Sequence, residues 1–189
     1  MVLNKFYDRY VMTNNLNYKN NNFYLLKTPF VMLPVELLGA MLRNEEAPYV
    51  QSLYYWVKHS TFNNLTKEFL TGSDLNSKKV LDFFETYFSA SGFGLLQNVD
   101  LDLEHKHAIV VLVNNPLQGR LNFVSQLPLD HFMRGVLAGL FSKSLNSNVD
   151  CLETQCSVFN KFNACRFVIK PLNEFDFQNP EVRRQIFIQ

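Results

Sequence analysis

All three cysteines of the chain lie between residues 151 and 165, in the segment CLETQCSVFNKFNAC. Together with Glu153 they are the residue types that hold a structural zinc ion, which takes four Cys, His or carboxylate ligands. Glu153 and Cys156 can supply two ligands from the end of one strand, and Cys165 a third from the next strand. The spacing suits a buried strand equally well, because free cysteine packs as a small hydrophobic residue. A metal site and a cysteine-bearing core strand are therefore both open.

A fourth ligand has to come from another part of the segment or of the chain. Asp130 and His131 stand at the start of a predicted helix, and Cys151 is the other local candidate. In a regular strand Cys151 and Glu153 share one face, whereas Cys156 lies on the opposite face unless the strand bulges. The identity of the fourth ligand stays open at this point.

The elements that must position these residues follow from periodicity and from turn residues. Pro34 and Pro48 each begin a predicted helix, because proline fits the first helical turn. Two further helices are predicted at about 75–90 and 129–145, and a short one starts at Pro180. Strands are predicted at about 23–32, in a pair joined by a charged hairpin at 102–106, and at 148–157 and 163–170. Helices and strands are grouped rather than alternating, which predicts an α+β fold with helices packed on a largely antiparallel sheet.

The length and layout predict one folded unit. A chain of 189 residues is typical of a single hydrophobic core. We divide it into a polar N-terminal arm at 1–22, a single domain at 23–170 and a C-terminal tail at 171–189, the tail containing the helix at Pro180.

Composition limits the classes of partner and the compartment. A formal net charge of +1 lacks the basic surface of a nucleic-acid-binding protein. The longest apolar runs, such as AIVVLV, are far shorter than the roughly 20 residues that span a bilayer. The odd number of cysteines favours reduced thiols over a disulfide framework. We therefore expect a cytoplasmic protein without a nucleic-acid partner or a membrane span.

The chain is rich in phenylalanine, with 18 Phe and 8 Tyr against one Trp. Phenylalanine has no polar group, so such a surplus suits either a wide packed core or an apolar ligand cavity. The candidate lining residues of that cavity are Phe83, Phe84, Tyr87, Phe88, Phe93, Phe132 and Phe141.

The run from 135 to 171 resembles the C-terminal signature of the 4-vinyl-reductase domain family, a group that includes hydrocarbon-binding domains. In that signature a Gly-x-x-x-Gly helix leads to a strand containing Glu-Thr-x-Cys, then to a short hairpin and a Cys-Arg-Phe strand. The matching residues are Gly135, Gly139, Glu153, Thr154, Cys156, Cys165, Arg166 and Phe167. The resemblance implies the α+β fold shared with TRAPP tethering subunits and haem-NO-binding sensors.

The resemblance also implies a zinc site. Family members include the sensor domains of aromatic-responsive transcription activators, in which a glutamate and three cysteines hold zinc. Glu153, Cys156 and Cys165 match three of those four ligands. The fourth ligand position, a cysteine in the relatives, falls at Asp130 or His131 here.

The function implied is binding or sensing of a hydrophobic or aromatic small molecule without bond chemistry. The expected assembly is a homodimer whose output passes through a protein partner. The alternative is a TRAPP-like dimeric interaction scaffold, with Met32, Leu37, Leu38 and Met41 as the candidate dimer face. A third interpretation, an accessory protein in porphyrin or aromatic metabolism, needs a catalytic group that the sequence does not reveal.

Overall fold

The computed structural model describes residues 16–25, 28–42, 46–65, 77–117, 130–157 and 162–186. The strands are β1 (Leu16–Lys19), β2 (Asn22–Leu25), β3 (Thr28–Phe30), β4 (Leu95–Asp102), β5 (His107–Val113), β6 (Val149–Gln155) and β7 (Ala164–Pro171). The helices are α1 (Val35–Leu42), α2 (Ala47–Ser60), α3 (Ser77–Ala90), α4 (His131–Ser144) and α5 (Pro180–Gln185). A π-helical turn at Thr61–Leu65 continues α2.

Four strands form the large sheet, in the order β4-β5-β7-β6 with every neighbouring pair antiparallel. Buried and half-exposed residues alternate along β5 and β7, so one face of these strands packs on the core. Along β6 both faces are buried as far as Glu153. The predicted α+β class with an antiparallel sheet is confirmed.

Helices α2, α3 and α4 supply the rest of the core, and α4 packs closely on α2. A Cβ at Gly135 would lie 2.7 Å from the Tyr54 carbonyl oxygen, and one at Gly139 would lie 2.4 Å from that of Lys58. The Gly-x-x-x-Gly spacing therefore serves contact with another helix. This close approach fixes the position of α4 against α2, and hence the positions of Asp130 and His131 at the start of α4.

The N-terminal part differs from the prediction of one strand at 23–32. The residues form β2 and β3, an antiparallel pair in which Phe23 is opposite Phe30. β1 pairs with β2 to complete a small three-stranded sheet, although its residues fall within the predicted polar arm. Asn20 and Asn21 join β1 to β2 with positive φ angles of 50° and 62°. Asparagine tolerates this conformation, so these polar residues form a tight hairpin turn.

Helix α5 covers the other face of β6. Val182 and Ile186 form a small second core with Leu152 and Phe175. Asn179 caps this helix by accepting a hydrogen bond from the Glu181 N–H at 2.9 Å, and Pro180 occupies its first turn. The division of the chain at residues 22 and 170 stays a prediction. None of the helices in the described ranges is long and apolar enough to cross a membrane.

Candidate metal centre

An irregularity at the end of β6 brings Glu153 and Cys156 together. The pairing register of β6 with β7 shifts between Glu153 and Gln155. This bulge offsets the alternation that would otherwise place Cys156 on the opposite face. The carboxylate of Glu153 and the thiols of Cys156 and Cys165 then lie within 4.8 Å of one another, all buried. We call these three residues the Glu-Cys-Cys cluster.

Cys165 receives several polar contacts that suit a thiolate. Its sulfur accepts a hydrogen bond from the Ser157 N–H at 3.2 Å, and Ser157 Oγ lies 3.1 Å away. The Asn115 amide nitrogen lies 3.6 Å from the same sulfur. The neighbouring Cys156 thiol and then the Ser157 groups lower the pKa of Cys165, against the effect of burial. These contacts favour the thiolate form of Cys165.

The buried carboxylate of Glu153 is the strongest indication that the cluster binds a cation. Both carboxylate oxygens are buried without an N–H or O–H partner among the residues that the structure describes. Burial, followed by the charges of Cys165 and Asp130, raises the pKa of Glu153 well above its usual value. A buried carboxylate that lacks N–H and O–H donors is costly, and a divalent cation would remove that cost. The donor set of two thiols and a carboxylate fits zinc in particular.

Asp130 lies at the margin of the cluster. Its Oδ1 caps α4 by accepting from the Met133 N–H at 3.3 Å, and its Oδ2 accepts from the Asn115 amide at 3.0 Å. The same Asn115 nitrogen therefore contacts both Asp130 and Cys165. Burial, and secondly the nearby Cys165, raises the pKa of Asp130 to about 7.

His131 is buried, and Arg134 occupies one nitrogen of its ring. Arg134 Nη1 lies 3.1 Å from His131 Nδ1, and arginine is always a donor, so Nδ1 is the acceptor. Burial and then the Arg134 charge lower the pKa of His131 to about 3, which keeps the ring neutral. A neutral ring that accepts at Nδ1 carries its proton on Nε2, and that nitrogen has no lone pair to offer a metal. Of the two candidates, this geometry favours Asp130.

Cys151 is not brought into the cluster. It lies in the main hydrophobic core beside residues of α4, and burial raises the pKa of its thiol. Cys151 shares a strand face with Glu153, but it lies two residues earlier along β6, about 7 Å away, which keeps it out of the cluster.

Most of the predicted aromatic residues form one continuous series of ring contacts, which we call the aromatic stack. Phe84, Phe88 and Phe141 are fully buried, and successive ring centroids from Phe84 through Phe88 and Phe93 to Phe132 lie 5.7–6.2 Å apart. Tyr87 joins the same stack at 5.5 Å from Phe88. The side chain of Phe83 lies outside the described residues.

A small cavity lies beside the aromatic stack and reaches Asp130 at the margin of the cluster. It has a volume of about 10 Å³, enough for roughly one water molecule. Its wall includes Phe93 and Phe132 from the stack and Asp130 and Asn115 from the margin of the cluster. In this conformation the aromatic residues pack as a core, and an aromatic ligand would have to part Phe93 from Phe132 to enter.

Two polar positions at the cluster were not predicted as site residues. Asn115 belongs to an Asn-Asn-Pro segment, which the sequence marks as a turn, and Asn114 before it has a positive φ of 58°. That turn directs the Asn115 side chain inward. Ser157 follows the bulge directly. Neither residue type is a usual metal ligand, so only the fold reveals their contacts.

Sequence comparison with protein-family models and with curated proteins finds no match. Structural comparison does. The chain is similar to the phenol-responsive sensory domain of the transcription activator PoxR, which was crystallised with phenol. The TM-score is 0.71 and the sequence identity 15%, over 93% of this chain and 94% of that one. The two proteins share one fold. A vinyl-4-reductase family protein from Methanocaldococcus jannaschii is similar at a TM-score of 0.51 and 19% identity, over 75% of this chain and 83% of that one.

A trafficking protein particle complex subunit 3 from Naegleria fowleri, covalently bound to palmitic acid, gives a TM-score of 0.48 at 16% identity, over 72% of this chain and 89% of that one. The likeness to the first two structures confirms the fold that the resemblance to the 4-vinyl-reductase domain family predicted.

Proposed function

We propose that this protein is a binding or sensory domain for a hydrophobic or aromatic small molecule, in which a structural zinc ion ties together β6, β7 and the start of α4. The single observation that carries the proposal is the Glu-Cys-Cys cluster, whose buried carboxylate has no N–H or O–H partner among the described residues. Glu153, Cys156 and Cys165 would hold the metal, and Asp130 would be the fourth ligand. Bound zinc would neutralise the buried acids and fix the bulge in place.

The ligand would enter between the aromatic stack and the cluster. Phe93 and Phe132 are stacked at 5.7 Å and form part of the cavity wall that also contains Asp130. A ring inserted there would meet apolar faces on one side and polar groups on the other, which is the usual composition of a small-molecule site. The shared fold with a phenol-responsive domain supports the choice of phenol as the first probe.

The test is metal content followed by ligand titration. The full chain, purified without an affinity tag of histidines and without chelator, is expected to carry one zinc per chain by elemental analysis. Cys156→Ser should lose the zinc, whereas Cys151→Ser, a buried cysteine outside the cluster, should retain it. Folded wild-type protein without zinc, after incubation with the ion, would refute the metal site.

Phenol and toluene then test the ligand site by calorimetric titration of the zinc-loaded protein. Binding of either, weakened in Phe132→Ala, would support the sensory function. A zinc-loaded protein that binds neither at millimolar concentration would leave a metal-stabilised scaffold as the better description.

A second candidate function, a dimeric interaction scaffold, is favoured by exposed apolar residues before and along α1. Met32, Leu37 and Met41 are 69%, 54% and 53% exposed, and Val31 is 84% exposed. Leu38, the other residue of the predicted dimer face, is half-buried and contacts the small cavity. Burying such a surface against a second copy would remove apolar area from water.

A further inference from the structure

Within the described residues no strand pairs with the outer side of the edge strand β6, and side chains bond its outward-facing backbone groups instead. The Cys151 N–H donates to Tyr54 Oη at 3.2 Å, and the Cys151 carbonyl accepts from Arg134 Nε at 2.9 Å. Two residues further on, the side-chain amide of Gln185 bonds both the N–H and the carbonyl of Glu153, each at 2.9 Å. Gln185 thus takes the place that a residue of a neighbouring strand would occupy beside Glu153.

Gln185 can do this only while α5 is docked. The helix has six residues, too few to be stable in isolation, so its contacts with the rest of the protein hold it in place. Val182 and Ile186 pack against Leu152, and Arg134 Nη2 donates to the Gln185 carbonyl. Gln185 itself is 1% exposed, which means that water cannot replace its amide without movement of the helix.

We propose that Gln185 is a positioning residue for the metal site and couples the docking of α5 to metal binding. The coupling rests on the metal site proposed above and adds a regulatory element to it. The amide holds the Glu153 peptide on both its N–H and its carbonyl, immediately before the bulge that directs the carboxylate toward Cys156 and Cys165. When α5 undocks, the backbone of Glu153 loses both hydrogen bonds, and the position from which its side chain extends is no longer fixed.

The coupling is reciprocal. If undocking of α5 weakens metal binding by some factor, metal binding must favour the docked helix by the same factor. A metal in the cluster would therefore control whether the polar surface of α5, with Glu181, Arg183 and Arg184, is presented in this position. A regulatory signal could pass in either direction between the cluster and the helix.

The first measurement is zinc affinity of the full chain by competition with a chromophoric chelator. Gln185→Ala is expected to bind zinc about 10- to 100-fold more weakly, the usual effect of losing a group that orients a metal ligand. Arg184→Ala is the matched control, because Arg184 lies on the same helix, is exposed and pairs with Glu181 at 3.1 Å. Its affinity should match that of wild type.

A second variant guards against loss of folding in the first. Val182→Ala weakens the apolar docking of α5 and leaves every bond to Glu153 chemically possible, so it should also weaken zinc binding. The cobalt(II)-loaded forms provide a spectroscopic signature: Gln185→Ala should shift the ligand-field bands, which a uniform loss of stability would not do.

Hydrogen exchange of the α5 amides tests the reciprocal effect. Zinc should slow exchange of the Arg183 and Ile186 amides in wild type by the factor measured for affinity, and this slowing should disappear in Gln185→Ala. Equal zinc affinity of Gln185→Ala and wild type, or zinc-insensitive exchange in a wild type that binds zinc, would overturn the coupling and leave the metal site standing. A wild type that binds no zinc would overturn both.

Discussion

At the scale of single residues, a bound metal would change the protonation of the two acids at the cluster, Glu153 and Asp130. Burial raises the pKa of both Glu153 and Asp130, so each keeps its proton more tightly than in the unfolded chain. Metal binding would have to displace such protons, because zinc binds the deprotonated ligands. The metal-free protein therefore has a pH dependence of its own.

Asp130 provides a test of that dependence in the chelated, metal-free protein. An acid with a raised pKa stabilises the fold fully below its unfolded pKa, about 3.8, and this contribution is lost as the pH rises through about 7. Asp130→Asn keeps the helix cap but cannot ionise. It should therefore raise the melting temperature, relative to wild type, more at pH 8 than at pH 5. If the difference in melting temperature between Asp130→Asn and wild type is the same at pH 5 and at pH 8, Asp130 ionises normally.

Replacing each candidate fourth ligand separates Asp130 from His131. Asp130→Ala is expected to weaken zinc binding by about 10- to 100-fold or more, as for an altered metal site. His131→Asn places an amide oxygen where Nδ1 accepts from Arg134, and it should retain one zinc per chain. Chelator competition on the two variants measures both. Retention of wild-type affinity in Asp130→Ala with its loss in His131→Asn would reverse the assignment.

At the scale of elements, the contact between α2 and α4 sets the position of the site. Gly139→Ala should lower the melting temperature, because the new methyl group would meet the Lys58 carbonyl at 2.4 Å and Thr61 Cβ at 2.8 Å. Overpacking of this kind costs about 1–3 kcal/mol. It should outweigh the gain in helix propensity of about 1 kcal/mol.

Lys143→Ala is the control for this contact, since Lys143 is exposed on the same helix. Its unfolding free energy should stay within about 1 kcal/mol of wild type, allowing for its contact with the Phe62 ring. Equal stability of Gly139→Ala and wild type in thermal denaturation would mean that α2 can move away without cost.

The bulge in β6 is the element that makes the site, and it explains the limit of prediction from sequence. Regular strand alternation would place Glu153 and Cys156 on opposite faces, and the bulge brings them to the same side. Nothing in the residues around Glu153 specifies that bulge. It depends on the pairing of β6 with β7 and on the bonds that Gln185 makes from a distant helix.

At the scale of the whole molecule, the exposed residues of α1 predict self-association. Wild type is expected to sediment as a dimer that dissociates on dilution, whereas Leu37→Glu should be monomeric, because a charge buried in the interface would be unpaired. Glu36→Gln, at the adjacent polar position, should behave as wild type. A wild type that is monomeric at high concentration in analytical ultracentrifugation would refute the dimer and the scaffold with it.

The sequence by itself determined the α+β class, most helices and strands of the described ranges, and the three residues of the cluster. These depend on local information: periodicity, proline and glycine positions, and a short run of matching residues in 135–171. Asn20 and Asn21 form a hairpin turn within the predicted polar arm, and composition could not indicate it, because a polar turn and a polar arm contain the same residue types.

Only the tertiary structure decided which face of β6 each candidate metal ligand occupies and how the aromatic rings pack. Asn115, Arg134 and Gln185 reach the site from three separate parts of the chain, and side-chain geometry rather than residue type determines what they bond. Arg134 is the clearest case. Its hydrogen bond to His131 Nδ1 favours the tautomer that carries its proton on Nε2, and no local pattern could have indicated that, because a tautomer is set by a neighbour in space.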